Sequence, residues 1–274
     1  MTVSASPASP AAIVTHSPLY TVLNGLGSVV VAFSGGTDSA YLAWSALATL
    51  GASNVLAVTA VSASLAEGER EHCQALAESW GLPWMAVDTD ELTNPEYLAN
   101  GGDRCYWCKA ELMDAIEPLA QSRGATAVLG VNVDDLGEHR PGQGAAKERG
   151  ARFPLVEAGL TKSMIREQSR AAGLSTWDRP AAACLASRIP YGTPVSIGVL
   201  SRVDRAEAAL HRCGLRQVRV RHYGDTARIE VELTELTQVM AQRAAIVSAL
   251  KSVGYRYVTL DLEGFRSGNL NQAL

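Results

Sequence analysis

Val29-Val30-Val31-Ala32-Phe33-Ser34-Gly35-Gly36-Thr37-Asp38-Ser39 decides how this chain reads, because an apolar run breaks into a glycine turn and then into Ala40-Tyr41-Leu42-Ala43-Trp44, a helical pattern. The order is strand, tight turn, helix start. Two glycines let backbone approach a ligand closely, and the N–H groups and positive dipole end of a helix attract an anion there. A phosphate is the expected guest; a glycine turn that merely joins strand to helix is the alternative.

The lysine-bearing loop G-x-x-x-x-G-K-[ST] is absent, since no lysine follows these glycines, so the common P-loop reading fails. The six residues Ser34 to Ser39 instead resemble the SGGxDS signature of the PP-loop ATP pyrophosphatases, which cleave ATP between the α- and β-phosphates. On that reading Ser34, Gly35, Gly36, Thr37, Asp38 and Ser39 line the ATP site. Asp38 repels phosphate, so its expected role is to bind the Mg²⁺ that neutralises departing pyrophosphate. A carboxylate in a helix's first turn also complements the dipole, and the two roles are compatible.

Outward from the turn, 54–61 reads as a second strand, 65–80 as a helix, 84–87 as a short strand, 108–123 as a helix and 127–131 as a buried strand. Strands alternating with helices predict an α/β fold with a parallel, doubly wound sheet. Ligands of such sheets sit beyond the carboxyl ends of the strands, so Ser34 to Ser39, the segment after Val61 and residues 132–140 are expected to meet. Asn132 and Asp134 thereby join the ATP site, with Asp134 and Asp135 either sharing the metal or standing as solvated loop acids. A helix over 161–172 follows. The chain then changes character at 179–194, a proline-marked linker that carries Cys184. Beyond it, a helix at 197–213, strands at 217–221 and 228–233, a helix at 236–251 and a strand at 255–260 predict a smaller α+β domain over 195–274. The domains expected are thus a flexible tail at 1–18, a nucleotide domain at 19–178, the linker and the C-terminal domain.

Composition limits the function classes. The 274 residues are 47% hydrophobic with a formal net charge of −4. No basic surface for a nucleic-acid backbone is expected from 20 arginines and 4 lysines scattered among acids. No apolar stretch reaches the ~18 residues of a membrane span. Five cysteines, an odd number without a secretory leader, argue for reduced thiols in the cytosol rather than a disulfide framework.

Cys105-Tyr106-Trp107-Cys108 lies in a loop or at a helix start, where a thioredoxin-like dithiol fits poorly, and it lacks the second pair that a zinc site needs. Three thiolates would leave one iron of a [4Fe–4S] cluster open, and Cys184 is the natural third ligand. An inert buried thiol is the other reading of Cys184. Cys73 and Cys213 sit inside helical patterns and read as core. Arg219 and Arg221 project from one face of a strand, where they either grip a phosphate or carboxylate or form a solvated, salt-bridged face. Arg188, Glu207, Glu230 and Glu232 are candidates to join or balance them.

In this order SGGTDS, Arg104-Cys105-Tyr106-Trp107-Cys108-Lys109, Gly130 to Asp135 running on to Arg140-Pro141-Gly142, Pro154-Leu155 leading to Lys162 and Arg166, the CLASRIPYG stretch, Arg219-Val220-Arg221 and LDLEGFRSG resemble the LarE family of ATP-dependent sulfur transferases over about residues 20 to 270. The resemblance implies an adenine nucleotide alpha hydrolase-like fold and adenylation of a carboxylate of a pyridinium dicarboxylate mononucleotide. Sulfur then replaces AMP, giving the thiocarboxylate of a nickel-pincer nucleotide used by lactate racemase and related enzymes. Some members give up the sulfur of one cysteine, at the position of Cys184. Others carry two more cysteines and a [4Fe–4S] cluster, and with Cys105 and Cys108 this chain looks like the second kind. Catalytic roles then fall to Cys184 and Asp38, substrate binding to Arg188, Arg219, Arg221 and Glu207, and cluster ligation to Cys105, Cys108 and Cys184. A homo-oligomer and a recipient racemase are the expected partners. The rival readings are a tRNA thiolase, an amide synthetase and a nucleotide sensor without turnover.

Overall fold

A computed structural model describes residues 17–137, 141–180 and 183–266. The chain forms two compact units. The first comprises the described residues to Ser62, Gly68–Asp90, and those from Cys105 to Pro180; the second takes Ala63–Glu67, Glu91–Arg104 and those from Ala183 onward. Two short stretches of the first half thus belong with the second unit. Only Ser17 and Pro18 of the expected tail are described: Ser17 caps a helix that begins at Pro18.

The first unit runs α1 (Pro18–Leu26), β1 (Val29–Ala32), α2 (Thr37–Leu50), β2 (Val55–Val61), α3 (Glu69–Trp80), β3 (Trp84–Asp88), α4 (Arg104–Ser122, whose first residue belongs to the second unit), β4 (Thr126–Leu129), α5 (Pro141–Glu148) and α6 (Lys162–Ala171). All four strands are parallel, in the order β3-β2-β1-β4. Side chains alternate across a sheet, so Val29 and Val31 pack with α1, α2 and α3 while Val30 packs with Ile116 and Ala120 of α4. All three valines are fully buried, which is why β1 reads as an unbroken apolar run. Chain order reverses at β1, between β2 on one side and β4 on the other. The carboxyl ends of β1 and β4 are therefore the switch point at which such sheets bind ligands.

Two glycines make that end compact. Gly35 has φ +67°, which turns the chain from β1 into α2. Gly130, just past β4, lies so close to α2 that a Cβ there would stand 2.8 Å from the Ser39 nitrogen and 2.9 Å from its Cα.

The second unit contains α7 (Ile197–Arg212), β5 (Val218–Tyr223), β6 (Thr226–Val231), α8 (Leu236–Ala241), α9 (Arg243–Ser252) and β7 (Tyr257–Leu260). Its sheet, β5-β6-β7, pairs β5 antiparallel and β7 parallel to β6. Val218, Val220, Ile229 and Val231 meet Ala206, Leu210, Val239, Ile246 and Leu250 in one core.

Several boundaries differ from the periodicity. The helix expected from 65 starts at Glu69, because Gly68 adopts φ +80° and ends the preceding turn. The helix expected from 108 starts at Arg104, which brings both thiols of the C-x-x-C into its first five residues. The helix expected over 236–251 is broken at Gln242. The strand expected over 228–233 ends at Val231, and Leu233 beyond it is exposed. Among the described residues no helix is long and apolar enough to cross a membrane.

Gly130→Ala is expected to lower unfolding free energy by about 1–3 kcal/mol, the usual cost of overpacking, because the clash is with backbone. Gly25→Ala, in α1 with open space around it, should raise it by about 0.4–1 kcal/mol. Denaturant unfolding of the two variants checks both signs.

Candidate functional site

Ser34 through Ser39 form the turn and the first residues of α2. The Ser39 hydroxyl accepts from the Ser34 N–H at 3.2 Å and lies 3.0 Å from the Ser34 hydroxyl, which ties the two ends of the turn together. Gly36 is the N-cap and no side chain caps the helix, so its anion-attracting end is left to a ligand. The Thr37 hydroxyl is committed to the Thr176 carbonyl at 2.9 Å. Asp38 is half-buried: its Oδ2 pairs with Lys162 Nζ at 2.5 Å, while its buried Oδ1 has no hydrogen-bond partner. An orphaned carboxylate oxygen beside an anion site suits a divalent cation with oxygen ligands.

Lys162 restores, from a distant helix, the cation that the glycine turn lacks. Its backbone N–H also donates to Asp134 Oδ2 at 2.8 Å, so Asp134 serves the N-terminal end of α6. The buried Asn132 shapes the loop after β4 by accepting from the N–H groups of Asp134 and Asp135 at 2.9 and 3.3 Å. Residues 138–140 of that loop lie outside the described residues, and the segment after Val61 belongs to the second unit. Two further residues reach the turn: Arg179 Nη1 and His72 Nε2 both contact the Gly35 carbonyl, at 3.1 and 3.2 Å. Lys162 carried only a place in a motif. Arg179 and His72 gave no signal at all, because their meaning comes from packing.

In the second unit the arginine-bearing face is buried rather than solvated. Arg188 makes a bidentate pair with Glu207, both contacts at 2.8 Å, and its Nη1 donates to the carbonyls of Ala183 at 2.6 Å and Cys184 at 3.1 Å. Glu207 also accepts from the Val220 N–H at 2.8 Å, which occupies a donor on the sheet's edge strand. Arg221 pairs with Glu230 at 2.8 Å and donates to the Ser187 carbonyl at 2.6 Å. Arg104 Nη1 donates to the Ala186 carbonyl at 2.9 Å, and the Ser64 carbonyl accepts from the Leu185 N–H at 2.9 Å. The turn that carries the half-buried Cys184 is thus held almost residue by residue. These contacts explain why Ala63–Glu67 and Glu91–Arg104 belong to this unit.

Arg219 differs. Its guanidinium donates to the Val218 carbonyl and lies 5.2 Å from the Phe265 ring centre. Burial, and next the charge of Arg188, push it down to about 10. The guanidinium groups of Arg188, Arg219 and Arg221 are buried together with the carboxylates of Glu207 and Glu230. Glu232 is exposed and takes no part.

Cys105 and Cys108, three apart at the start of α4, share a helix face, the first exposed and the second half-buried. That placement and the softness of thiolates fit two ligands of an iron–sulfur cluster. Among the described residues no group of three or more His, Cys, Asp or Glu side chains is gathered as a metal site. Cys73 is buried in the core, as expected, and burial raises its thiol to about 11. Cys213 is only partly buried, against the second core.

Comparison with known proteins agrees with this geometry. The NAD synthase family model matches residues 19–97, the part that contains the glycine turn. An uncharacterized protein of Synechocystis sp. is 46% identical, covering 91% of this chain and 94% of its own length. The pyridinium-3,5-bisthiocarboxylic acid mononucleotide synthase of Lactiplantibacillus plantarum is 37% identical, covering 93% of each chain. An uncharacterized protein of Methanocaldococcus jannaschii is 25% identical, over 87% of this chain and 91% of its own. With the family model over the glycine turn and the relatives along nearly the whole chain, the protein is an ATP pyrophosphatase-type enzyme of the PP-loop class. Within that class, identity along nearly the whole length decides the matter: the chain belongs to the LarE family of ATP-dependent sulfur transferases.

Arg188→Met strands Glu207 in the interior and should cost about 3–5 kcal/mol in denaturant unfolding, as for any broken buried pair. Burial is the first cause that lowers both His72 and His222 below 6.5. The unfolded chain then binds protons that the native one refuses, so stability is full above that value and falls as pH drops below it. Thermal unfolding between neutral pH and pH about 5 should show this slope, reduced in His72→Gln.

Proposed function

We propose that this enzyme adenylates a carboxylate of a pyridinium dicarboxylate mononucleotide with ATP and converts it to a thiocarboxylate, the type of product named for the Lactiplantibacillus plantarum relative. A carboxylate is a poor electrophile until its oxygen carries a leaving group. Its oxygen attacks the α-phosphorus, the bond to the bridging oxygen breaks, and pyrophosphate departs. Sulfur then bonds to the carboxyl carbon while the bond to the AMP oxygen breaks.

Each part of the chain has a role in this. The N–H groups and hydroxyls from Ser34 to Ser39 receive the phosphates, with Lys162 supplying positive charge and Asn132 and Asp134 shaping the loop beside them. Asp38 is the residue that would hold Mg²⁺, through the oxygen that lacks a partner; the ion would add charge neutralisation at pyrophosphate. Arg219 takes an anionic group of the mononucleotide, while Arg188, Glu207, Arg221 and Glu230 keep the turn around Cys184 rigid. Cys105, Cys108 and Cys184 would be the ligands of a [4Fe–4S] cluster, whose open iron would supply sulfide. The observation that carries the reading is the turn at Cys184. Buried guanidinium groups are committed to the carbonyls of Ala183, Cys184 and Ser187, a rigidity that a mere linker does not need. The thiocarboxylate nucleotide is destined for a nickel-dependent racemase, and a homo-oligomer is the proposed working form.

Anaerobic purification of the parent beside Cys105→Ala and Cys108→Ala, with iron, sulfide and pyrophosphate measured, tests this. The parent should carry iron and both variants lose it while still releasing pyrophosphate. An iron-free parent that stops after one turnover with dehydroalanine at Cys184 would replace the cluster by a sacrificial cysteine. Asp38→Ala should lower pyrophosphate release by about a hundredfold, the scale of losing one transition-state charge partner, with ATP still bound; unchanged turnover would remove Asp38 from the mechanism.

A further inference from the structure

We propose that Arg179 and His72 are positioning residues of the nucleotide site, which together lock the Gly35–Gly36 peptide so that its N–H faces the phosphates. The inference rests on the nucleotide half of the reading above.

A carbonyl only accepts, so both groups that meet Gly35 O must donate: Arg179 Nη1 at 3.1 Å and His72 Nε2 at 3.2 Å. This assigns the proton of the His72 ring to Nε2. In a planar trans peptide the C=O and the following N–H point in opposite directions. Holding Gly35 O on the Arg179 and His72 side therefore aims the Gly36 N–H to the other side. The peptide needs such a hold. With glycine on either side, either orientation is accessible, and a flip would exchange a donor for an acceptor where the anion binds.

The hold is itself built. Arg179 Nη2 pairs with Glu69 Oε1 at 2.8 Å, and Glu69 and His72 stand three apart on one face of α3. The imidazole lies so close to the turn that a Cβ on Gly35 would stand 2.8 Å from its Cδ2. One guanidinium thus joins α3, the glycine turn and the segment after α6, and it lies five residues before Cys184 in the chain.

Calorimetric titration with ATP and with adenosine tests the lock, on the parent, Arg179→Gln, Arg179→Lys, His72→Leu and His72→Gln. Arg179→Gln and His72→Leu should each weaken ATP about tenfold, the scale of a charge-assisted hydrogen bond, and leave adenosine within about twofold. His72→Gln should recover most of the loss, because its amide donates. Arg179→Lys should recover part, because an ammonium lacks the fork that serves Gly35 and Glu69 together. ATP affinity unchanged in both disruptive variants, adenosine falling in parallel with ATP, or His72→Gln binding ATP no better than His72→Leu would overturn the proposal. A parent that binds ATP but releases no pyrophosphate would count against the proposed function while leaving this comparison decisive.

Discussion

No side chain fits between the residue after β4 and the first turn of α2. A Cβ at Gly130 would stand 2.8 Å from the Ser39 nitrogen, and one at Gly35 would meet the His72 ring as closely. Backbone is therefore packed on backbone where the strand order reverses, and the helix start is held without a capping side chain. Everything chemical in the first unit follows from that close approach. It leaves donors for an anion, it brings Asp38 within reach of Lys162, and it lets α3 support the turn from below.

The second unit solves a different problem with buried charge. Burying a guanidinium is costly unless its donors are satisfied. Arg188 and Arg221 meet that requirement with Glu207, Glu230 and the carbonyls of the turn around Cys184. Removing one partner would strand the other, so the pairs specify the turn's shape more than they add stability. Arg219 stands in the same buried group, and burial is the first cause that lowers its guanidinium.

Where a local pattern determined the outcome, the sequence was legible. The valines of β1 are buried on both faces of the sheet, and Ser-Gly-Gly-Thr-Asp-Ser marked the turn from strand into helix through its glycines. The order of strands and helices followed from their periods. What failed was local too: Gly68 delayed a helix, and Arg104 brought another forward by a turn. Alternation placed Arg219 and Arg221 on one face but could not tell a wet face from one buried under carboxylates. His72 and Arg179 lie 37 and 144 residues along the chain from Gly35, and Lys162 lies 124 from Asp38. No period or spacing reports a side chain that arrives by tertiary packing.

In the proposed reaction a substrate carboxylate attacks the α-phosphorus of ATP. Oxygen-18 placed in the carboxylates of the pyridinium mononucleotide tests this directly, with AMP analysed by mass spectrometry after a single turnover. One labelled oxygen in AMP, pyrophosphate as the other product of ATP and sulfur in the recovered carboxyl group are expected. Unlabelled AMP, or ADP with inorganic phosphate, would contradict it.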